Sequence, residues 1–227
     1  APSASHPLGC DPLGRDILAR LGAGVRLSVL VASIVVVATA CIGTAVGIAA
    51  GWFGGWWEML LMRVVDVVLA FPGLLLAIAL AAAFGAGVDK LVVALVCVGW
   101  TGFARLARVQ VRSLKTQAFV QAELALGAGL WRTARTALMP NIAAPLLVEA
   151  SFAFAGAIVG EAGLSFLGVG AQPPTPSLGV MIREGASYML SAPMLGVWPG
   201  VVLAGLVLAS NLAGDALRDR LDVRTQR

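Results

Sequence analysis

The sequence has 227 residues, of which 59% are hydrophobic and only 12% are charged, and its mean hydropathy is +0.91. A soluble globular domain has about 25% charged residues, so this composition excludes such a domain and favours a helical membrane protein surrounded by lipid. The net charge of +4 does not indicate nucleic-acid binding, because the basic residues cluster in loops beside apolar segments. We therefore expect an all-α protein with several membrane-spanning helices and no nucleic-acid partner.

The N-terminal residues 1–27 are polar and rich in proline and glycine, and we expect them to be extracytoplasmic. Within them Ile17, Leu18 and Leu21 would share one helical face opposite charged side chains, which predicts a short amphipathic helix on the membrane surface. His6 is the only histidine, and the three cysteines show neither metal-binding nor disulfide spacing. A multi-histidine metal site within this chain is thereby excluded, and no metal ligands are expected.

Residues 28–227 form the predicted transmembrane domain, because their apolar segments are long enough to cross a hydrocarbon core of about 30 Å. The expected spans are approximately residues 28–50, 59–84, 90–109, 142–159 and 195–212. In and just after the first span Gly43, Gly47, Gly51 and Gly55 recur every four residues. This spacing predicts a smooth helical stripe against which another backbone can pack closely.

Two features of the second span fit a helix that lines a pathway, although packing alone would also explain them. Arg63 and Asp66 are three residues apart, so we expect them to share a face and to pair near the membrane boundary. Phe71 and Pro72 follow, and the proline should kink the helix because it removes a backbone hydrogen bond.

A polar stretch from Thr116 to Asn141 follows the third span and interrupts the apolar sequence. Gly127 and Gly129 divide it into two short predicted helices. The basic residues just before it are Arg105, Arg108, Arg112 and Lys115. A regular, cationic segment between two membrane spans predicts a docking element for a soluble partner, and we place this coupling region at residues 116–141.

The chain beyond the fourth span is interrupted by many glycines and prolines, which argues against one continuous helix. We expect a structured outer loop over residues 161–194, with partly re-entrant backbone that is buried by protein or reached by water. Glu161 opens this loop, and we expect it to act as a gate or scaffold rather than to bind the ligand. The pathway or gate candidates are Arg63, Asp66, Phe71, Pro72, Glu149, Glu161, Ser165 and Phe166.

The distribution of lysine and arginine predicts the orientation in the membrane. These residues are concentrated around the central polar stretch and in the C-terminal tail, whereas the connections at 85–90 and 168–194 contain only Lys90 and Arg183. By the positive-inside rule we expect the central stretch and the C-terminus in the cytoplasm and Ala1 outside. An earlier span is then expected to precede this sequence.

Residues 119–141, FVQAELALGAGLWRTARTALMPN, resemble the cytoplasmic signature of binding-protein-dependent ABC importer permeases. That signature has the form E-A-A, three residues, Gly, nine residues, I-x-L-P. Gly127 matches the glycine and Pro140 matches the final proline, with Leu138 two residues before that proline. The opening differs, because residues 121–123 read Gln-Ala-Glu in place of Glu-Ala-Ala.

Further stretches resemble the dipeptide and oligopeptide permeases within this family, namely residues 6–21, 62–80, 161–182 and 211–224. They occur in the family's order and are distributed along the chain from residue 6 to residue 224. The resemblance implies a type I ABC importer permease fold in the bacterial inner membrane. It also implies about five spans in this sequence, with a first span missing before them.

The resemblance implies that the coupling region enters a cleft of a separate ATPase subunit, so that closure of two ATPases around ATP moves the spans. The residues assigned to this coupling are Gln121, Ala122, Glu123, Ala125, Leu126, Gly127, Ala128, Arg132, Leu138 and Pro140. The implied partners are a second homologous permease, two ABC ATPase subunits and an extracytoplasmic substrate-binding protein. The implied function is the import of di- or oligopeptides that the binding protein delivers.

The sequence itself predicts no enzyme activity. Neither Lys90 nor Lys115 follows a glycine as GxxxxGK[ST] requires, and HExxH and GxSxG are absent. We therefore expect no catalytic residues and no cofactor in this chain, and ATP and Mg²⁺ would be bound by the partner subunits. A membrane enzyme is the least favoured interpretation.

Two other functions stay open at this point. The first is the same kind of importer with nickel or another small solute as cargo, because nickel permeases share these motifs. The second is a channel or an ion-coupled secondary transporter, which would predict ion-binding carboxylates at mid-membrane and no docking glycine.

Overall fold

The computed structural model describes residues 6–225, with side chains through Arg220. The described chain is nearly all helical, which confirms the predicted all-α class. The helices are α1 (Ile17–Phe53), α2 (Gly55–Leu69), α3 (Gly73–Phe84), α4 (Val88–Lys115), α5 (Ala118–Ala125), α6 (Leu130–Thr133), α7 (Met139–Phe166), α8 (Leu178–Ala186) and α9 (Met194–Thr225). A π-helical turn, Ala134–Leu138, joins α6 to α7.

Within residues 6–225, four helical segments are long and apolar enough to cross a membrane. They are Ile17–Phe53, Val88–Lys115, Leu130–Phe166 and Met194–Arg220. The bent pair of α2 and α3 makes a fifth if it is counted as one span. Each predicted span lies within one of these segments, and the helices continue beyond the apolar runs.

The short surface helix predicted before the first span is not a separate element, because α1 begins at Ile17 and continues without a break. Of its predicted apolar face, Ile17 and Leu21 are buried by protein, whereas Leu18 is exposed. Ile17 and Leu21 pack in one cluster with Leu178 and Met181 of α8. An apolar helical stripe can be buried against lipid or against protein, and the sequence pattern is the same in both cases.

The second predicted span is divided at Phe71 and Pro72, which lie between α2 and α3. The chain bends by 85° at this break. Proline has no amide hydrogen and disfavours helical conformation in the residue before it, so α2 ends before Pro72 and α3 starts after it. The proline therefore produces a complete break where the sequence predicted a kink.

The described chain divides into two compact units by its internal contacts. One unit comprises residues 6–35, 74–95 and 154–212, and the other comprises residues 36–73, 96–153 and 213–225. The core of the first unit contains the fully buried side chain of Leu178. The second contains a cluster of fully buried side chains, among them Phe103, Leu138 and Ile142.

Gly43, Gly47 and Gly51 of α1 pack directly on α4, as the four-residue spacing predicted, whereas Gly55 begins α2 and is not part of the stripe. A Cβ atom at Gly43 would fall against the carbonyl oxygen of Trp100, and one at Gly47 against the carbonyl oxygen of Ala104. Because the obstructing atoms belong to the backbone, a side chain at either glycine would force the two helices apart. This contact explains why the first span needs glycine at this period.

The predicted outer loop contains the end of one helix and the whole of another. α7 continues to Phe166, so Glu161 and Ser165 lie on its last turns, and α8 follows as a separate helix. This arrangement agrees with the expectation that residues 161–194 do not form one helix.

Candidate functional site

A tight turn at Gly127 joins α5 to α6. The amide of Ala128 donates to the carbonyl oxygen of Glu123 at 3.0 Å, and the amide of Gly127 donates to that of Leu124 at 2.9 Å. These two bonds form a Schellman motif, which places the residue after the helix cap in the left-handed region. Gly127 has φ of +80°, a conformation that strains residues with a side chain. The signature glycine is therefore required by the backbone of the turn.

The helix that follows the turn runs into α7 through a widened section. Residues 134–138 form a π-helical turn directly before Pro140. Proline donates no amide hydrogen and its ring crowds the preceding turn, so the helix widens there and continues. Asn141 reinforces this section, because its Nδ2 donates to the carbonyl oxygen of Ala137 at 2.7 Å. The turn at Gly127 is thus linked to a membrane span by one continuous helical run.

The base of the coupling region is fixed to the rest of its unit. Val120 and Leu138 are completely buried. The Nε2 of Gln121 donates to the carbonyl oxygen of Lys115 at 2.6 Å. The Nζ of Lys115 in turn donates to the carbonyl oxygen of Trp52 at 2.6 Å and lies 5.5 Å from the centroid of the indole ring. Movement of this segment would therefore be transmitted to α1 and α4.

The tip of the coupling region is exposed and carries both apolar and cationic groups. The side chains of Leu126 and Trp131 are 88% and 82% exposed. Glu123 accepts a hydrogen bond from Thr136 at 3.0 Å. Among the side chains described over residues 6–220, the guanidinium of Arg132 has no ion-pair partner. Exposed large apolar side chains beside an unpaired arginine are typical of a protein-binding surface.

The predicted pairing of Arg63 with Asp66 is wrong. The carboxylate of Asp66 binds Arg105 of α4, with Nη2 to Oδ1 at 2.6 Å. A spacing of three residues places two side chains on one face, but it does not exclude a neighbouring helix from supplying a better partner. Arg63 is exposed and, in the described part of the chain, has no ion-pair partner.

A second ion pair between α2 and α4 was not predicted from the sequence. The Oε1 of Glu58 binds Arg108 and also binds Arg112, the latter at 2.9 Å. The two arginines are four residues apart and therefore lie on one helical face, which was the available signal. The basic residues before the coupling region thus serve helix packing.

Glu149 is a partly buried carboxylate on α7. Its Oε1 lies 2.7 Å from the position that a Cβ atom would occupy at Gly102, so this glycine makes room for the carboxylate. No hydrogen-bond donor contacts Glu149 within the residues that the structure describes. Among the described side chains, its lone pairs are therefore not occupied by a donor.

Glu161 lies in the opposite environment, at the centre of a buried polar cluster, and is only 1% exposed. The Oγ of Ser28 donates to Oε2 at 2.6 Å. Ser165 and Ser177 donate to Oε1 at 2.9 and 2.8 Å. Three hydroxyl groups from α1, α7 and the start of α8 thus satisfy one carboxylate, as a buried charge requires.

The same cluster orders the loop before α8. The amide of Ala171 donates to the Oγ of Ser165 at 3.1 Å, and the amide of Gly179 donates to the Oγ of Ser177 at 3.2 Å. Ser177 is the N-cap of α8, a position that sequence patterns favour for serine before an apolar run. That signal could have identified Ser177, whereas nothing local marks Ser28. Phe166 lies beside the cluster and is 40% exposed.

A second polar cluster joins the N-terminal segment to α8. Arg20 binds Asp11 at 2.7 Å and Glu184 at 2.9 Å, and Arg15 also binds Asp11 at 2.6 Å. Burial raises the pKa of Asp11, but hydrogen bonds from Arg15 and Leu13 and the charge of Arg15 outweigh it, so the pKa lies below its ordinary value. Among the side chains described over residues 6–220, no three His, Cys, Asp or Glu converge as a metal site.

Comparison with known proteins relates most of the chain to one transport family. Residues 43–227 match the family described as "Binding-protein-dependent transport system inner membrane component". The chain is 40% identical over 221 residues to the "Glutathione transport system permease protein GsiD" of Pectobacterium atrosepticum. The aligned residues are 97% of this chain and 73% of that protein. It has the same identity and coverage with the "Dipeptide transport system permease protein DppC" of Alkalihalophilus pseudofirmus. The DppC of Haemophilus influenzae is 38% identical over 218 residues, or 96% of this chain and 74% of that protein.

The fold is similar to that of a solved transporter. A chain of the methionine ABC transporter MetNI, in an inward-facing conformation, matches with a TM-score of 0.72 at 19% identity. The match covers 90% of this chain and 97% of the MetNI chain. A second inward-facing crystal form gives a TM-score of 0.65 at 20% identity. These matches establish the ABC importer permease fold that the sequence resemblance implied.

Proposed function

The chain belongs to the family of binding-protein-dependent transport system inner membrane components. We propose that it forms part of the translocation pathway for short peptides across the inner membrane. The chain is a multi-pass permease subunit of an ABC importer and not an enzyme, and separate ATPase subunits hydrolyse ATP. The proposed cargo rests on relatives named for dipeptide and glutathione transport. Glutathione is itself a tripeptide, so these names support one class of solute.

The exposed turn on a buried base is the observation that carries the proposed mechanism. Leu126 and Trp131 provide apolar contact area for the cleft of an ATPase subunit, and Arg132 provides a charge for an acidic partner. The turn at Gly127 is short and has fixed geometry, and the helical run behind it leads into α7. Displacement of the turn by a closing ATPase would therefore move a membrane span directly.

The proposed assembly contains a second homologous permease, two ABC ATPase subunits and an external substrate-binding protein. Association with ATPase and binding-protein partners follows from membership of the family. A second permease is needed because about five spans enclose little space by themselves.

We place the coupling region and the C-terminus in the cytoplasm, which the surplus of basic residues there supports. ATP and Mg²⁺ are bound by the ATPase subunits, and this chain needs no cofactor.

The pathway and gate candidates receive different proposed roles from their surroundings. Glu161 is saturated with hydrogen bonds and is assigned a scaffold role with Ser165 and Phe166 at the end of α7. Phe71 and Pro72 set the bend between α2 and α3. Asp66, held by Arg105, is assigned to helix packing.

The proposed coupling is tested by replacing Gly127 with valine in the full-length protein, expressed with its neighbouring transport genes. A β-branched residue in the left-handed region is strongly disfavoured, and no neighbouring atom lies within 4 Å of the added Cβ, so the strain stays local to the turn. We expect the purified complex to lose its ATPase subunits and the cells to lose uptake of a labelled dipeptide. The matched control is Gly129→Ala, because Gly129 has an ordinary φ of −81° and a Cβ atom added there would have no neighbouring atom within 4 Å.

The outcome separates the coupling from the cargo. Normal dipeptide uptake by the Gly127→Val variant would contradict the coupling role. If the wild-type complex contains ATPase subunits but transports Ni²⁺ or another small solute and no peptide, the coupling stands and the peptide assignment is wrong. A homo-oligomer without ATPase subunits, purified under conditions that preserve such complexes, would contradict both.

A further inference from the structure

A groove of about 850 Å³ lies between α1 and the helical run of α6 and α7. Ala45 and Ile48 line its α1 side, and Met139, Ala143 and Leu147 line its α7 side. Its volume falls in the range of ligand-binding pockets, roughly 300–1,000 Å³. Of the residues that line it, Trp131 also enters the proposed coupling mechanism.

The groove is open and its surface is almost wholly apolar. Ala45, Met139 and Leu147 are all exposed although they belong to membrane-spanning helices. In a bilayer an exposed apolar furrow of this kind is filled by hydrocarbon, because neither water nor a polar solute finds enough partners along it.

The length of the groove fits one leaflet of the membrane. Its α1 side extends from Ala40 to Ala49, which is about 13 Å at a helical rise of 1.5 Å per residue. The hydrocarbon core of a bilayer is about 30 Å thick, so the groove has close to half of that depth. It therefore matches an acyl chain that enters from one side of the membrane.

One end of the groove carries a cationic side chain. Arg135 lines the groove near the start of the helical run. The guanidinium of Arg135 is exposed and, among the side chains described over residues 6–220, has no ion-pair partner. Arginine presents a rigid set of donors that suits a phosphate, and basic pockets between membrane helices bind acidic lipid headgroups.

We propose that this groove binds one anionic phospholipid, whose acyl chain lies between α1 and α7 and whose headgroup is held by Arg135. The proposal goes beyond the transport function and does not depend on the identity of the transported solute. The lipid would pack against the helical run that links the coupling turn to α7. A dependence of coupling on acidic lipid follows from this position.

The test measures lipid binding by native mass spectrometry on the intact importer complex, after exchange into detergent and removal of loosely held lipid. Phosphatidylglycerol and phosphatidylcholine are added back in turn. An arginine near a membrane surface contributes about 1 kcal/mol to binding an acidic lipid, so Arg135→Gln should weaken phosphatidylglycerol binding about fivefold and leave phosphatidylcholine unchanged. The matched control is Arg26→Gln, because Arg26 is also exposed on α1 but does not line the groove.

A second variant tests the acyl site without changing charge. Ala45→Phe should fill the groove and reduce retention of both lipids, whereas Ala82→Phe, at an exposed alanine of α3 outside the groove, should leave both unchanged. Equal binding of phosphatidylglycerol by the wild type and both groove variants would overturn the proposal. A photo-crosslinking residue in place of Ala45 gives a further test in membranes. If it joins this chain to a second permease and forms no phospholipid adduct, the groove is a subunit interface and the proposal is wrong.

Discussion

Replacing Glu161 with alanine should destabilise the protein strongly, because one substitution removes the acceptor of three buried hydroxyl groups. Ser28, Ser165 and Ser177 donate to its two carboxylate oxygens at 2.6–2.9 Å. Side-chain hydrogen bonds between membrane helices average roughly 0.6 kcal/mol, so three of them set a lower limit of about 2 kcal/mol. Unsatisfied buried hydroxyls and the space left by the side chain increase the loss, and we expect about 3–5 kcal/mol.

The assay is equilibrium unfolding of the purified full-length complex in mixed detergent, with the free energy of unfolding compared between variants. Glu161→Gln should lose less than Glu161→Ala, because the amide oxygen still accepts from Ser165 and Ser177. The control is Glu149→Ala, which removes the same side chain from the same helix but breaks no hydrogen bond within residues 6–225. Its free energy of unfolding should stay within about 1 kcal/mol of the wild type.

A double-mutant cycle shows whether the loss comes from the network. Ser28→Ala alone should cost about 1 kcal/mol, and it should have much less effect in the Glu161→Ala background, because the acceptor is already absent. Additive effects of the two substitutions, or equal stability of Glu161→Ala and Glu149→Ala, would refute the reasoning that this cluster holds α1, α7 and α8 together.

Two further predictions concern ion pairs. The effects of Asp66→Asn and Arg105→Gln on the free energy of unfolding should be non-additive by up to about 1 kcal/mol, because the two side chains form an ion pair. The effects of Asp66→Asn and Arg63→Gln should be additive. Additive effects for the first pair and non-additive effects for the second would instead support an ion pair between Arg63 and Asp66 within α2. The pKa of Asp11 is lower in the folded protein than in the unfolded chain, where it is about 3.9. Its contribution to the free energy of unfolding is therefore complete above that unfolded pKa and is lost as pH falls through the folded pKa. The stability difference between the wild type and Asp11→Asn should therefore be constant from pH 7 to 5 and shrink below about pH 4, and a constant difference down to pH 2 would contradict this assignment.

Local pattern was sufficient to predict the all-α class, the close packing of α1 and the turn of the coupling region. Each of these depends on residues close in sequence. The spacing of Gly43 and Gly47 defines one helical face, which packs on α4. Gly127 follows two alanine-rich turns, and the left-handed turn there uses hydrogen bonds within six residues. The chemistry of these features is contained within one or two helical turns, so the sequence displays it.

The start of α1 could not be predicted, because it depends on a distant element. The pattern at Ile17 and Leu21 indicated an amphipathic helix correctly but did not identify what covers its apolar face. Leu178 and Met181, far along the chain, provide that cover and allow the helix to continue as part of the first span. A helix boundary set by tertiary contacts has no local signal of its own.

The roles of the charged residues in the spans were the least accessible to sequence, and the two glutamates of α7 show why. Glu149 and Glu161 are the same residue type in one apolar helix, and no neighbouring sequence distinguishes them as buried or available. The difference lies in what faces each of them. Ser28, 133 positions away, satisfies Glu161, whereas Gly102 opens space beside Glu149 and supplies no donor. A carboxylate saturated by its own chain has little capacity left for a solute, so we expect Glu149, and not Glu161, to be the one that can contact the transported molecule.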